Sequence, residues 1–154
     1  MSTDLHGHVT YEVSYADTDR MGMVYYGTYL VYFERARTAL LQSAGFPYPE
    51  MEAKGLGLPV TETHVTYRQP ATYGDVLDIY GWLGWARRAR LQVVCEVRRD
   101  GLLLADGYTV HGCIDLSTMR PTRLPPEILA LSPKEAGGNV PPASGPGPEE
   151  EGGG

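Results

Sequence analysis

The sequence predicts an α+β domain in which one antiparallel sheet packs against a single long helix. Three observations predict this class: an alternating segment near the N-terminus, one segment with helical spacing, and four consecutive apolar segments separated by turn residues. The chain has 154 residues, which suffices for one domain with its own core and a tail. We expect the domain to span residues 9–132, after a flexible N-terminus of residues 1–8.

The first two predicted elements are a strand and the helix. In residues 9–15, Val and Tyr alternate with Thr, Glu and Ser, which is the period of a half-buried strand. From residue 28 the apolar spacing becomes helical, and Gly45 and Pro47 provide the stop signal. The helical spacing places two sets of residues on opposite faces of the helix. We expect one face to be buried, and it contains Leu30, Phe33, Leu40, Leu41 and Ala44. We expect the opposite face to be exposed, and it contains Val31, Arg35, Thr38 and Gln42.

Four further strands are predicted in residues 58–67, 76–85, 89–99 and 102–116, which are rich in Val, Ile, Tyr, Thr and Trp. Between the last two, Asp100-Gly101 is a strong hairpin signal. A single helix covers only one face of such a sheet. We therefore expect the protein to form at least a dimer.

Composition excludes several classes of protein. Apolar residues make up 42% and charged residues 21%, as in ordinary globular proteins, and no apolar run is long enough to span a membrane. The net charge of −6 argues against a nucleic-acid binder. Cys95 and Cys113 lie far apart without a CxxC motif, so we expect buried thiols, no metal site and a cytoplasmic location. Residues 133–154 are rich in Pro, Gly and Glu and predict a disordered tail.

The densest group of chemically active residues lies in residues 15–29, between the first strand and the helix. Gly22 and Gly27 permit positive φ or a close backbone approach to a ligand. Free N–H groups at a helix start can polarise a carbonyl, and a neighbouring carboxylate completes the minimum equipment for acyl transfer. The same pattern also fits a turn in which Asp17 and Asp19 only cap backbone donors.

Residues 13–37, VSYADTDRMGMVYYGTYLVYFERAR, resemble the signature of the 4-hydroxybenzoyl-CoA thioesterase type of hotdog protein, and especially the subgroup associated with the Tol-Pal system. The similarity continues through LPV at residues 58–60, YRQPA at 67–71 and YGD at 73–75, and covers about residues 11–123. The resemblance implies a hotdog fold, in which an antiparallel sheet of about five strands wraps around one long helix. It also implies acyl-CoA thioesterase activity.

The resemblance further implies roles for individual residues. Asp19, the second Asp of the D-x-D pair, would attack the thioester or activate water, and the backbone N–H of Tyr26 would stabilise the oxyanion. Gly22 and Val24, from the same motif, would contact the substrate. Tol-Pal-type members carry His where this chain has Tyr26, so a His-assisted mechanism is not expected. A carboxylate and an oxyanion donor can suffice for a reactive thioester, with no metal or cofactor besides the CoA of the substrate.

Glu34 is a rival catalytic carboxylate, because other hotdog enzymes use a helix-borne Glu. Arg37 follows one turn later, however, and the i,i+3 spacing predicts an ion pair between the two side chains.

The basic run of Arg87, Arg88 and Arg90 is a candidate site for the nucleotide phosphates of CoA, as a basic triplet is in the similar hydroxybenzoyl enzymes. We expect Arg88 and Arg90 to share one face of a strand. The alternative is a solvated hairpin.

The sequence thus predicts hydrolysis of a small aromatic or short-to-medium-chain acyl-CoA to the free acid and CoA. Dimerisation would complete the site, and the resemblance implies a tetramer. One alternative is a non-catalytic hotdog subunit that binds acyl-CoA or acyl carrier protein, or a Tol-Pal-linked scaffold. A hydratase or dehydratase on this fold needs a His–Asp or His–Glu pair in the site, and none of the four histidines is placed to provide one.

Overall fold

The computed structural model describes residues 5–133. The elements, in chain order, are β1 (His6–Glu12), a 3₁₀ turn (Tyr15–Asp17), α1 (Thr28–Ser43), α2 (Tyr48–Ala53), β2 (Leu56–Gly57), β3 (Val60–Tyr67), β4 (Val76–Arg87), β5 (Arg90–Arg99), β6 (Leu102–Gly112), β7 (Ile114–Asp115), β8 (Arg120–Pro121) and α3 (Pro126–Leu129). Apart from Pro133, the predicted tail lies outside the described residues. No helix within residues 5–133 is long and apolar enough to cross a membrane.

The five long strands form one antiparallel sheet in the order β1-β4-β5-β6-β3. The predicted hairpin lies between β5 and β6, where Asp100 and Gly101 have φ values of 52° and 85°. Two consecutive positive φ angles are typical of the tight turn that matches the twist of two paired strands. The α+β class, with about five strands and one long helix, is confirmed.

Several boundaries differ from the prediction. β1 begins at His6 rather than Val9, because residues 6–8 pair with β4 up to the His6–Trp82 position. Residues 6–8 therefore belong to the sheet, and the flexibility predicted for residues 1–8 stays a prediction. The strand predicted over residues 102–116 ends at Gly112. The short helices α2 and α3 and the small sheet β2-β7-β8 were not predicted.

Helix α1 packs mainly against β1, β4 and β5. Glycines on two of these strands allow the helix to approach closely, since a Cβ at Gly81 would lie 3.2 Å from the Cβ of Ala36. The prediction that Leu30 is buried is wrong, because Tyr29 and Tyr32 occupy the core side of the helix and turn Leu30 outward. The predicted burial of Phe33, Leu40 and Leu41 is confirmed.

Candidate active site

A cleft of about 380 Å³ lies where the start of α1 meets the end of β3. The loop that precedes α1 forms one wall, and the chain that leaves β3 forms the other. The lining residues are Asp19, Met23, Val24, Tyr26, Tyr29, Tyr67, Arg68, Gln69 and Pro70.

Asp19 lies in a tight turn at the edge of this cleft. The carboxylate oxygen Oδ1 accepts hydrogen bonds from the backbone N–H of Met21 at 2.8 Å and of Met23 at 3.2 Å. Gly22, with φ of +82°, closes the turn by donating its N–H to the carbonyl of Asp19 at 3.0 Å. No donor among residues 5–133 bonds to the second oxygen, Oδ2. Asp19 therefore caps backbone donors and still offers one carboxylate oxygen to a ligand or water.

Asp17 has a different environment. Its Oδ2 accepts hydrogen bonds from the hydroxyl of Tyr11 at 2.6 Å, the hydroxyl of Tyr32 at 3.1 Å and the N–H of Ser14 at 3.1 Å. Burial raises the pKa of Asp17, but these hydrogen bonds outweigh burial and leave its pKa below the ordinary value. Asp17 thus links the 3₁₀ turn to β1 and α1 and is a structural carboxylate.

The start of α1 presents backbone donors. The N–H of Thr28 bonds to the carbonyl of Tyr25, whereas the N–H groups of Tyr26 and Gly27 have no acceptor among residues 5–133. Tyr26 and Gly27 directly precede α1, and unbonded N–H groups at the start of a helix attract negative charge. Tyr26 lines the same cleft as Asp19, so a carboxylate and a candidate oxyanion donor occur in one cavity.

The other predicted site residues fall into two groups. Val24 lines the cleft and is buried, and Gly22 belongs to the Asp19 turn. The arginine run instead lies at the far end of the sheet. β4 begins near the cleft, since Thr72, four residues before Val76, forms a bridge with Met23. With 12 residues at about 3.3 Å each, β4 places its last residue, Arg87, about 36 Å from its first.

The predicted arrangement of these arginines is also corrected. Arg88 does not share a face with Arg90, because Arg88 is in the turn with φ of 44° and β5 begins only at Arg90. Arg87 and Arg90 form the cross-strand pair. Both guanidinium groups lie over the ring of Trp85, at 5.0 and 5.7 Å from its centroid.

Glu34 does not line the Asp19 cleft. The predicted ion pair with Arg37 is wrong, because the Nε of Arg37 donates to the hydroxyl of Tyr48 at 2.9 Å, and no ion pair among residues 5–133 joins Glu34 to Arg37. Glu34 and Arg37 both line a separate cleft of about 220 Å³ between α1, β3 and β6.

No histidine lines the Asp19 cleft. The Nε2 of His8 lies 2.9 Å from the Oδ1 of Asp78. This pair joins β1 to β4 and lies outside the cleft. His111 is fully buried, and burial together with the nearby charge of Arg37 lowers its pKa to about 4. Both cysteines are buried and free, and no three metal-ligating side chains cluster within residues 5–133.

Sequence reasoning assigned no role to Tyr29, Tyr67, Arg68, Gln69 or Pro70, all of which line the cleft. Residues 67–70 lie about fifty positions from Asp19 in the sequence, and the fold brings the two segments together. The N–H of Val24 bonds to the carbonyl of Ala71 at 2.8 Å and supplies this connection. The YRQPA motif was a signal that could have identified them.

Comparison with known proteins shows similarity over most of the described chain. Residues 13–131, which include the whole cleft, match the family described as the thioesterase-like superfamily. The chain is 44% identical over 111 residues to the "Putative acyl-CoA thioesterase YneP" of Bacillus subtilis (strain 168), covering 71% of this chain and 80% of that protein. It is 32% identical over 119 residues to the acyl-CoA thioester hydrolase YbgC of Escherichia coli O157:H7, and the match covers 77% of this chain and 89% of that protein.

Solved structures agree with these sequence matches. A hypothetical protein from Thermus thermophilus superposes with a TM-score of 0.77 at 37% identity, covering 82% of this chain and 96% of that one. A DHNA-CoA thioesterase from Staphylococcus aureus superposes with a TM-score of 0.74 at 33% identity, and the match covers 77% of this chain and 80% of that one.

Proposed function

Since the chain belongs to the thioesterase-like superfamily, we propose that it hydrolyses an acyl-CoA to the free acid and CoA in the Asp19 cleft. The predicted hotdog fold is confirmed, and the protein is a thioester hydrolase. One observation supports the assignment to this cleft: Asp19, whose carboxylate keeps one oxygen without a donor among residues 5–133, and Tyr26, whose backbone N–H has no acceptor among them, line the same cavity.

Asp19 acts on the thioester carbonyl in one of two ways. As a nucleophile, its carboxylate forms a mixed anhydride and expels the CoA thiolate, and water then cleaves the anhydride to release the acid. As a general base, it takes a proton from water that attacks the carbonyl directly. In both cases negative charge develops on the carbonyl oxygen, where the N–H of Tyr26 stabilises it.

The cleft suits a small aromatic or short-to-medium acyl group. Tyr26, Tyr29, Tyr67 and Pro70 provide flat apolar surfaces, and about 380 Å³ is at the small end of the range for ligand sites. The match to the Staphylococcus aureus enzyme, which is named for an aromatic CoA thioester, supports the aromatic choice. Assignment to the 4-hydroxybenzoyl-CoA or Tol-Pal-associated type stays a prediction.

The nucleotide of CoA requires cations, and the arginine run is too far from the cleft of its own chain to provide them. We therefore assign Arg87, Arg88 and Arg90 to the cleft of a neighbouring subunit in a homo-oligomer. Arg87 and Arg90 are exposed and stacked on Trp85, which holds two guanidinium groups ready for phosphate oxygens. A dimer that completes the site, a tetramer, a cytoplasmic location and independence from a cofactor stay predictions.

A panel of acyl-CoA substrates tests the proposal, with release of the CoA thiol followed by a thiol-trapping dye. The panel compares hydroxybenzoyl, phenylacetyl, short-chain and long-chain thioesters. We expect turnover of aromatic or short-to-medium chains and little turnover of long chains. If no thioester releases thiol while acyl-CoA still binds, the alternative of a non-catalytic binding subunit is correct.

A further inference from the structure

Arg99 is the last residue of β5, and its side chain bonds to the loop of residues 70–75, which begins in one wall of the Asp19 cleft. Arg99 itself does not line the cleft. We propose that Arg99 is a positioning residue for thioester hydrolysis: it fixes this loop and, through the loop, the turn that carries Asp19. The inference rests on the proposed catalytic role of the cleft and adds a residue that acts on the reaction only through others.

Arg99 holds both ends of the loop. Its Nη1 donates to the carboxylate Oδ2 of Asp75 at 2.8 Å and to the carbonyl oxygen of Pro70 at 3.2 Å. The side chains of this ion pair are partly buried, since 30% of Arg99 and 22% of Asp75 is exposed. A charge-assisted hydrogen bond in such a place is stronger, and less screened by salt, than a bond between fully exposed groups.

Asp75 organises the loop between these two ends. Its Oδ2 also accepts the N–H of Thr72 at 2.9 Å, and its own N–H bonds to the carbonyl of Thr72 at 3.0 Å. Burial raises the pKa of Asp75, but the bonds from Thr72 and Arg99 outweigh burial and leave its pKa below the ordinary value. The carboxylate is therefore ionised at neutral pH and ties the middle of the loop to the guanidinium.

The loop is in turn bonded to the segment that carries Asp19. The carbonyl of Ala71 accepts the N–H of Val24 at 2.8 Å, and residue 72 forms a β-bridge with Met23. The N–H of Met23 bonds to the Oδ1 of Asp19 at 3.2 Å, and the carbonyl of Met23 accepts the N–H of Asp19 at 2.8 Å. A series of paired segments thus leads from the guanidinium to the carboxylate. Because a displacement of about 1 Å at a reacting group can lower a rate about 100-fold, a loosened loop should slow catalysis.

Arg98 provides a matched control on the same hairpin. Its Nε pairs with Glu96 at 2.8 Å, and its Nη1 donates to the carbonyl of Gly101 at 2.8 Å. The exposed fractions in this pair, 33% and 17%, are close to those of the Arg99 pair. Neither partner of Arg98 lines the cleft or belongs to the loop of residues 70–75. Arg98→Gln and Arg99→Gln should therefore lose similar amounts of stability, and only Arg99→Gln should affect catalysis.

Steady-state kinetics on one acyl-CoA compare the two variants at a temperature where circular dichroism shows both to be folded. Arg99→Gln should lower kcat about 5- to 30-fold with little change in KM, because alignment of the carboxylate is affected rather than binding. Arg98→Gln should keep kcat within about 2-fold of the wild type. Equal losses of kcat in the two variants, or an unchanged kcat in Arg99→Gln, would overturn the inference.

A double-mutant cycle tests the route through Asp75. Asp75→Asn removes the charge that Arg99 binds and keeps an oxygen for the N–H of Thr72. The double variant Arg99→Gln/Asp75→Asn should therefore lose less kcat than the product of the two single losses. A loss equal to that product would contradict the inference.

Asp19→Asn, assayed on the same substrate, separates failure of this inference from failure of the proposed function. If Asp19→Asn keeps wild-type turnover, the cleft is not the catalytic site, and the role of Arg99 is refuted with it. If Asp19→Asn loses turnover and Arg99→Gln does not, only the inference about Arg99 is wrong.

Discussion

The hydroxyl of Tyr67 donates a hydrogen bond of 2.9 Å to the carbonyl oxygen of Tyr26, so the end of β3 holds the start of α1 in place. That carbonyl belongs to the same peptide group as the N–H of Gly27, which bonds to no acceptor in the described part of the chain. A hydrogen bond to a carbonyl polarises the N–H of its own peptide. Tyr67 therefore both orients the first turn of the helix and strengthens a backbone donor next to that of Tyr26.

Tyr67→Phe removes this hydrogen bond and keeps the ring that packs edge-on against Tyr29. We expect kcat to fall about 3- to 10-fold, since a hydrogen bond of this kind contributes about 1 kcal/mol, with little change in KM. Steady-state kinetics on one acyl-CoA measure the split. Tyr73→Phe removes an exposed hydroxyl outside the cleft and should behave like the wild type. An unchanged kcat in Tyr67→Phe would show that the hydrogen bond from Tyr67 to the carbonyl of Tyr26 does not affect catalysis.

Asp17→Asn should lower the stability of the protein by about 1–3 kcal/mol, because a carboxylate that accepts three hydrogen bonds is replaced by a neutral amide. In the wild type the folded-state pKa of Asp17 lies below its ordinary value of 3.8. Its contribution is therefore complete above about pH 4 and is lost as pH falls through the lower, folded-state pKa. Urea unfolding between pH 2.5 and 7 measures both effects. Equal acid sensitivity of variant and wild type would contradict this role.

The double variant Arg87→Ala/Arg90→Ala should have a KM for acyl-CoA about 10-fold higher or more, with little change in kcat. The reason is that contacts to the phosphates are equally strong in the ground state and the transition state. A thioester of a short pantetheine-like thiol, which lacks the nucleotide, should respond little. That substrate is the control for a general loss of stability. Equal effects on the two substrates would mean that the arginine run is only a solvated hairpin.

Local signals were sufficient for most of the fold. Alternation located the strands, and Asp100-Gly101 located a hairpin whose two positive φ angles are observed. Burial along α1 was less predictable, because tyrosines have both polar and apolar character. Tyr29 and Tyr32 take the core side, and Leu30 is left exposed. The start of β1 depended on pairing with Trp82 and its neighbours in β4, more than seventy positions away.

The candidate site was predictable where it is continuous in sequence. Asp19, Gly22, Val24 and Tyr26 come from one loop, and the motif identified them together. The opposite wall at Tyr67 was missed because nothing local connects it to Asp19. The arginine run was assigned by resemblance without its position, and only the sheet order shows how far it lies from the cleft.

We propose that Asp19 carries the chemistry in this cleft, and the variant Asp19→Asn is the sharpest test of that role. Asn keeps the shape of the side chain and an oxygen that can accept the N–H bonds of Met21 and Met23, so the fold should be preserved. We expect turnover of the best acyl-CoA to drop about 10²- to 10⁴-fold while substrate binding stays nearly unchanged. A correctly folded Asp19→Asn protein with wild-type turnover would show that Asp19 is not the catalytic carboxylate.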